Sequence, residues 1–337
     1  MPARLTAHFR QRPSKVLFLR EGRDHLIGRD RDSDLLLDDD RVSRRHALLA
    51  GDESGWRITD LGSKNGTAVD GRPVTDPAPT GDRSWLSLGG LLVEFRRVGS
   101  EALERDREER LRRLTTSLAA GAELVPSLGL EPLLERLLTS ALEICRAERG
   151  FVLLETGGGE LEIAAAARIE GDDLRASEFS GSSTAIQEVL ASGRSIASSD
   201  AWQEPQLAER PSVLAAGIRA LVCLPLVAME RVIGALYVDS RSPSTVFDEL
   251  DVELLEALAS HAALAIAVDG IQSELRGLAG ALPARTDLPP ETAELLAREI
   301  GRALDRAGAA AGSSARSGAP SWSEIRELHA SAPEVST

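Results

Sequence analysis

Apolar residues follow two different spacings in this chain, and the change between them falls near residue 100. Before it, short apolar runs are separated by Gly, Asp, Asn and Pro turn signals roughly every 8–12 residues, without helical periodicity. This pattern predicts an all-β sandwich over residues 4–98. The expected strands are 5–9, 14–19, 25–28, 35–37, 46–50, 55–59, 67–69 and 91–96.

Helical spacing dominates after that point. One amphipathic helix is predicted from a buried stripe at i, i+3, i+4, i+7, i+8 and i+11, formed by Leu134, Leu137, Leu138, Ala141, Leu142 and Cys145. The segments that follow predict a hairpin (151–155 and 161–166), a short helix (184–192), two strands (221–226 and 232–238) and a long helix (248–278). Helices and antiparallel strands in this order indicate an α+β domain.

The chain is therefore predicted to be multidomain, with four parts. Residues 1–98 form the β-sandwich, 99–120 a mixed-charge helical connector, 121–279 the α+β domain and 280–337 a tail. In the tail, 291–306 is expected to be one amphipathic helix. The Ala-, Gly- and Ser-rich residues 307–320 are expected to be disordered, so the tail is partly disordered.

Charge and composition exclude several functions. The net charge is -14, and the acidic residues concentrate in 121–279, which argues against a nucleic-acid partner. Neither of the two lysines, Lys15 and Lys64, lies in a P-loop or kinase context, so these nucleotide-binding classes are excluded. Five scattered histidines show no catalytic constellation and no metal cluster, and the chain is expected not to be an enzyme.

Localisation is predicted from absent signals. No uninterrupted apolar run approaches the ~20 residues that a bilayer span needs, so no membrane association is expected. The first residues lack a basic segment followed by an apolar core, and a cytoplasmic location is therefore predicted.

The loops of the predicted sandwich gather the groups that hold an anion. Gly28 and Arg29 end one strand, an arginine-rich segment around Ser43 precedes another, and Asn65 and Gly66 form a turn. Arginine presents a planar fork of donors that suits phosphate, and a serine hydroxyl or turn N–H groups can complete the site.

The motifs G-R, S-x-x-H and N-G-T, in this order and spacing, resemble those of a forkhead-associated (FHA) domain. The resemblance implies an 11-stranded sandwich that binds phosphothreonine in a partner peptide. It implies that Arg29 and Ser43 bind the phosphate, assisted by Arg41, and that Asn65 hydrogen-bonds the peptide backbone. The positively charged side chains of Arg44 and Lys64 are predicted to bind the peptide as well. The residues implied to shape the site are Gly28, His46, Gly66 and Thr67.

The α+β segment resembles a GAF domain over about residues 121–270. The resemblance rests on the pattern of residues 195–238 and on Phe247-Asp248-Glu249, and it implies a sensor pocket between sheet and helices for an unidentified small molecule. The cyclic-nucleotide signature N-K-x-F-x-x-x-D-E is incomplete here. Cys145 and Cys223 are expected in the core rather than as bilin attachment sites, and His261 as a packed histidine rather than a haem ligand.

Two helical stripes flank this domain. One consists of Leu111, Leu114 and Leu118; the other has heptad-like spacing and consists of Leu254, Leu258, His261, Ala265 and Val268. These stripes predict a parallel homodimer. The alternative is that both stripes pack within one monomer.

The resulting hypothesis is a non-enzymatic signalling adaptor or sensor of a bacterium, which binds threonine-phosphorylated partners and either senses a ligand or dimerises. The alternative is a transcription regulatory protein similar to the input half of FHA-GAF sigma-54-dependent activators. The chain has no Walker motif for the AAA+ part of such activators and no basic recognition helix.

Overall fold

The structure, a computed structural model, describes residues 1–9, 12–125, 129–155, 160–168, 180–198, 218–242, 245–285 and 289–317. Its first part contains eleven strands. They are β1 (Ala3–Ala7), β2 (Lys15–Leu19), β3 (Asp24–Gly28), β4 (Leu35–Leu36), β5 (Ala47–Asp52), β6 (Gly55–Asp60), β7 (Thr67–Val69), β8 (Arg72–Pro73), β9 (Ala78–Pro79), β10 (Arg83–Leu88) and β11 (Leu91–Arg97).

These strands form two facing sheets, which confirms the predicted all-β sandwich. The strand orders are β2-β1-β11-β10-β7-β8 and β4-β3-β5-β6-β9, and all pairs are antiparallel except β3 with β4. Inward-facing residues of both sheets form one core, with Leu5, Trp56 and Phe95 among its fully buried members. This packing fixes the strand ends, from which the loops of the candidate site project.

Three strands were missing from the sequence prediction. β8 and β9 have only two residues each and both contain a proline, which removes a ladder donor. In β10 the buried Ser84 replaces an apolar residue at the start of the inward face, so the alternation is weakened.

The second part contains five helices and five strands among the described residues, in the predicted α+β order. They are α1 (Ser100–Glu123), α2 (Leu130–Cys145), β12 (Arg149–Glu155), β13 (Leu161–Ala167), α3 (Ser180–Ser192), β14 (Ile196–Ser198), β15 (Ala220–Ala228), β16 (Arg231–Ser240), α4 (Glu249–Arg285) and α5 (Pro290–Ser317). The sheet order is β13-β12-β16-β15-β14, and its pairs are antiparallel.

Each face of this sheet has its own apolar core. On one face lie α1, α2 and α4, and the core includes Leu137, Val222 and Leu255. On the other face α3 packs against Phe151 and Tyr237, whose stacked rings have centroids 4.8 Å apart. The alternating burial of β15 and β16 between two cores explains why these strands are almost continuously apolar.

Three of the five residues in the heptad-like stripe of α4 pack inside the monomer, which corrects the seam predicted for a dimer. Leu254, Leu258 and Ala265 are buried in the core shared with α2. His261 lies against Gly121 of α1, where an added Cβ atom would be only 2.6 Å from its Nδ1 atom. The spacing is the same for a helix that packs on its own domain as for a coiled coil.

The remaining expectations concern membrane association and a disordered tail, and they are tested by α4 and α5. By length and composition alone, Glu249–Ala281 is the one described helix that could cross a membrane; the core helix of a globular domain passes the same test, and α4 packs in such a core. α5 continues to Ser317, so residues 307–317, expected to be disordered, are helical. Residues 318–337 lie outside the described residues.

The sandwich joins the second domain at the start of α4. The N–H group of Ser14 donates to the carbonyl of Phe247 (3.0 Å), and the N–H group of Glu249 donates to the carbonyl of Ser14 (3.1 Å). The second bond satisfies one of the free donors in the first turn of α4. The side chain of Lys15 also lies 3.2 Å from the Glu249 carboxylate.

A buried ion-pair cluster connects α1 to the same turn. Asp248 and Asp251 form a reciprocal capping box, in which each carboxylate accepts the backbone N–H group of the other. Arg113, only 3% exposed, contacts Asp251 directly and lies 3.6 Å from Asp248. Burial, reinforced by Asp248, raises the pKa of the Asp251 carboxyl to about 7, although Arg113 opposes the shift.

Replacing Arg113 with Ala is expected to lower the free energy of unfolding by roughly 3 kcal/mol, because it leaves a buried carboxylate without its partner. The loss should be larger at pH 8 than at pH 5.5. Without Arg113 the folded Asp251 retains a proton that the unfolded chain, with an ordinary aspartate pKa of 3.8, releases, so raising the pH favours unfolding. Urea titration of both proteins at the two pH values measures the difference.

The matched control is Arg112→Ala, the adjacent residue, whose side chain is 53% exposed and paired with Glu109. We expect it to cost less than about 1 kcal/mol at either pH. Equal losses for the two variants would contradict the structural role assigned to Arg113.

Candidate functional site

Three loops at one end of the sandwich form the candidate site. Arg29 follows β3, Ser43 lies between β4 and β5, and Asn65 lies between β6 and β7. The first two loops are joined by backbone hydrogen bonds from Arg29 to Ser43 and from the next residue to Arg44, both 3.0 Å long. Gly28 allows this close approach, because a Cβ atom there would be 2.1 Å from the Arg44 carbonyl oxygen.

Ser43 joins the second loop to the third and keeps a free donor. Its Oγ atom accepts a hydrogen bond from the backbone N–H group of Lys64 (3.0 Å). A hydroxyl has one proton and two lone pairs, so the O–H group stays available to donate to an incoming anion.

Arg29 is held at its base and open at its tip. Its Nε–H group donates to the carbonyl of Val42 (3.3 Å), while Nη1 is 3.8 Å from the exposed carboxylate of Asp40. The side chain is 43% exposed. The remaining donors of the guanidinium can therefore reach a ligand from a fixed position.

Asn65 and Arg41 lie together at the third loop. The Nδ2 atom of Asn65 donates to the carbonyl of Arg41 (2.8 Å), which leaves the Oδ1 atom free to accept from a peptide N–H group. The guanidinium of Arg41 forms a two-point ion pair with Asp39, with N–O distances of 2.9 and 2.7 Å. This pair raises the pKa of Arg41 and lowers that of Asp39.

The other two predicted peptide-binding residues lie on the exposed rim. The side chains of Arg44 and Lys64 are exposed and form no hydrogen bond or ion pair with another described residue. The structure thus brings Arg29, Ser43 and Asn65 together and leaves Arg44 and Lys64 as solvated charges near them. The binding roles of all six residues stay predictions.

His46 braces the loops from beneath, as the motif implied. It is fully buried; its Nδ1 atom accepts from the Ser43 N–H group (3.0 Å), and its Nε2 atom lies 3.2 Å from the Gly66 carbonyl. Only a neutral ring protonated at Nε2 makes both bonds. Burial lowers the pKa of His46 below its usual value, in spite of the hydrogen bond to Gly66.

Asp60 organises the third loop and was not assigned a role from the sequence. Its carboxylate accepts hydrogen bonds from the backbone of Gly62 and Ser63 (2.8 Å each) and from the hydroxyl groups of Ser63 (2.6 Å) and Thr67 (2.5 Å). Although burial opposes it, these bonds hold the pKa of Asp60 below its usual value. The Asp-x-Gly-Ser sequence, typical of an Asx turn, was the available signal.

Asp39 is the second residue that the sequence analysis missed. It holds the Arg41 guanidinium and also accepts the Arg41 backbone N–H group (2.9 Å). In a run of three consecutive aspartates, nothing in the sequence distinguished it from its neighbours.

Comparison with protein families assigns both parts of the chain. The FHA domain family matches residues 25–89, which include all the loops of the candidate site, and the GAF domain family matches residues 129–266. The chain contains an FHA domain followed by a GAF domain.

Similarity to characterised proteins falls on the FHA domain. FHA domain-containing protein FhaB of Mycolicibacterium smegmatis is 42% identical over 71 residues, which are 21% of this chain and 46% of that protein. Glycogen accumulation regulator GarA of Mycobacterium tuberculosis is 49% identical over 68 residues, or 20% and 41%. The chain thus spans less than half the length of either relative. A solved FHA domain of Rv1747 from M. tuberculosis is 27% identical over 28% of this chain and 97% of that one, with a TM-score of 0.25.

The face of the GAF sheet that α3 covers carries an apolar cluster. Residues 199–217, part of the pattern from which the sensor pocket was predicted, lie outside the described residues. Burial raises the pKa of Cys145 to about 12 and that of Cys223 further, so both thiols stay protonated in the core. Across the described residues, no group of three His, Cys, Asp or Glu side chains could hold a metal ion.

We expect His46 to remain neutral and protonated at Nε2 well below pH 6.5. Since its folded pKa is depressed, its contribution to stability is complete above the unfolded pKa of about 6.5 and is lost as the pH falls through the folded pKa. Long-range ¹H–¹⁵N spectra of the full chain, labelled at histidine, report the tautomer and pKa of each ring. A His46 ring that is protonated at Nδ1, or that becomes charged at or above pH 6.5, would contradict the assignment.

Proposed function

We propose that this protein is a bacterial, non-enzymatic signalling adaptor or sensor, whose FHA domain binds threonine-phosphorylated partner proteins. The observation that carries the proposal is the junction of Arg29 and Ser43. The two residues belong to different loops joined by a backbone hydrogen bond, and each keeps a donor that no other group occupies.

The chemistry of the site favours a phosphorylated peptide over a free phosphate. Arg29 supplies charge-assisted donors, and the Ser43 hydroxyl adds a neutral donor from the neighbouring loop. Asn65 presents an amide oxygen beside them, which suits the N–H group of a peptide backbone. The phosphothreonine preference itself comes from the FHA family and is part of the proposal.

Nothing among the described residues of the site would cleave the phosphate. The imidazole beneath it, His46, uses both ring nitrogens to hold loops, so it cannot act as a general base. FHA and GAF domains are typically regulatory, and the names of GarA and FhaB are in keeping with such a role. We therefore propose capture of a partner, in the cytoplasm, rather than catalysis.

We further propose that the GAF half forms a parallel homodimer, through the stripe predicted on α1 and a stripe of α4 that differs from the predicted one. α1 and α4 run side by side in the same direction, because Arg113 contacts Asp251 and Gly121 lies against His261. Their exposed apolar residues follow heptad-like spacing along this direction. They are Leu111, Leu114 and Leu118 on α1, and Leu264, Ile271, Leu275 and Leu278 on α4. Ligand sensing by the GAF domain remains a second proposed role.

Arg29→Ala is expected to weaken binding of a phosphothreonine peptide by about 2–4 kcal/mol, or roughly 30-fold or more, because charge-assisted hydrogen bonds are lost. The measurement is a titration of the full chain with peptides selected from an oriented phosphothreonine library, and with their phosphoserine and unphosphorylated counterparts. Selective binding of the phosphothreonine form is expected.

The matched control is Arg45→Ala, which removes an exposed arginine of the Ser43 loop that the motif does not use. It should change the affinity by less than about threefold, as a screened surface charge does. If both variants lose affinity equally, the site acts only as a diffuse positive surface, and a chain that binds no phosphopeptide would refute the proposal.

The double variant Leu118→Glu/Leu278→Glu is expected to be monomeric, since it places charges on both parts of the proposed dimer stripe. Met229→Glu is the control, because Met229 is 73% exposed and lies on the β15–β16 turn, far along the chain from either helix. Sedimentation velocity of the three proteins measures their mass. A wild-type chain that sediments as a monomer at micromolar concentration would disprove the dimer.

A further inference from the structure

A polar cavity of about 360 Å³ lies where the FHA domain meets α1 and the GAF domain. Its wall combines Arg4 of β1 with Arg113 of α1, and with Arg146 and Asp248 of the GAF domain. The Arg146 side chain is 63% exposed, so the cavity reaches solvent beside it. The volume lies within the range of small-molecule sites, and the position is on the opposite side of the sheet from α3.

Arg4 is an arginine without a partner among the described residues. Its guanidinium forms no hydrogen bond or ion pair with any of them, and its Nε atom is buried without a hydrogen-bond acceptor. Desolvation by burial lowers the pKa of Arg4, which shows that the nearby acidic groups do not offset the cost of removing its charge from water. A half-buried cation in this state is normally paired with an anion.

Arg113 lies in the same wall but offers the cavity no open donor. Its two terminal nitrogen atoms contact Asp248 and Asp251, and its side chain is only 3% exposed, with the Nε atom buried. The third acidic residue of the wall, Asp106, is paired with Arg110 (3.0 Å). The three carboxylates of the wall are therefore already paired with other arginines, whereas Arg4 has no partner among the described residues.

We propose that this cavity is a binding site for a small organic anion, a carboxylate or a phosphate ester, held by the guanidinium groups of Arg4 and Arg146. A planar, multiply hydrogen-bonding anion matches the guanidinium fork better than a halide does. The site is separate from the phosphopeptide loops and does not depend on the function proposed for them.

Binding there would tie the two domains together. Arg4 belongs to the FHA sandwich, whereas Arg146 follows α2 of the GAF domain, and the anion would bridge them. The backbone hydrogen bonds of Ser14 with Phe247 and Glu249 cross the same junction. Their amide groups should consequently exchange more slowly when the site is filled.

The test uses the full chain carrying Arg29→Ala and Ser43→Ala, so that the phosphopeptide site does not contribute. Acetate and inorganic phosphate are the probes, compared with chloride at equal ionic strength. Hydrogen exchange of the peptides that contain Ser14 and Glu249 is followed by mass spectrometry. At a probe concentration of about ten times its Kd, exchange through opening of the junction should slow about tenfold. Whichever probe acts at the lower concentration identifies the anionic group.

Arg4→Gln in the same background should abolish the effect without loss of folding, because Arg4 has no described partner to lose. Arg4→Lys should retain the charge but weaken the effect. Arg57→Gln, which removes an exposed arginine of the facing sheet, should leave it unchanged. Equal slowing in the Arg4→Gln protein would show general salt stabilisation and overturn the proposal, as would no slowing by either probe.

Discussion

The guanidinium of Arg113 determines how the two halves of the molecule meet. It lies in the middle of α1, contacts the two carboxylates that cap α4, and is almost fully excluded from solvent. In this capped turn, the N–H group of Glu249 donates to the carbonyl of Ser14 in the sandwich. A buried charge tolerates few arrangements, so this cluster fixes α1, α4 and the FHA domain in one relation.

In the candidate site, too, single side chains hold several segments of the chain together. His46 supports two loops with one neutral ring, and Asp60 orders the third loop with one carboxylate. Arg29 and Ser43, which would contact the phosphate, then keep donors available to it. Such a division between supporting and contacting groups gives a rigid site at little entropic cost on binding.

The sequence predicted the FHA and GAF architecture and most elements correctly, because strand alternation and helical spacing survive in the core segments. It could not distinguish a heptad-like stripe that packs inside a monomer from one that pairs two chains; Leu258 fits both. It also missed Asp39 and Asp60, whose importance comes from hydrogen bonds across turns rather than from residue type. The cavity at the domain junction could not be predicted from the sequence, because the residues of its wall, such as Arg4 and Arg113, are far apart in the chain.

The length of α4 determines how far a movement at its start displaces its other end. The α4 helix has 37 residues and is therefore about 55 Å long. Arg113 holds its first turn, and α5 follows its last turn in the chain. Such a rod acts as a lever. A tilt of roughly 5° at the clamped end would displace the far end by about 5 Å, on a scale set by the length of the helix. Small rearrangements at the domain junction would thus be amplified at the far end of α4.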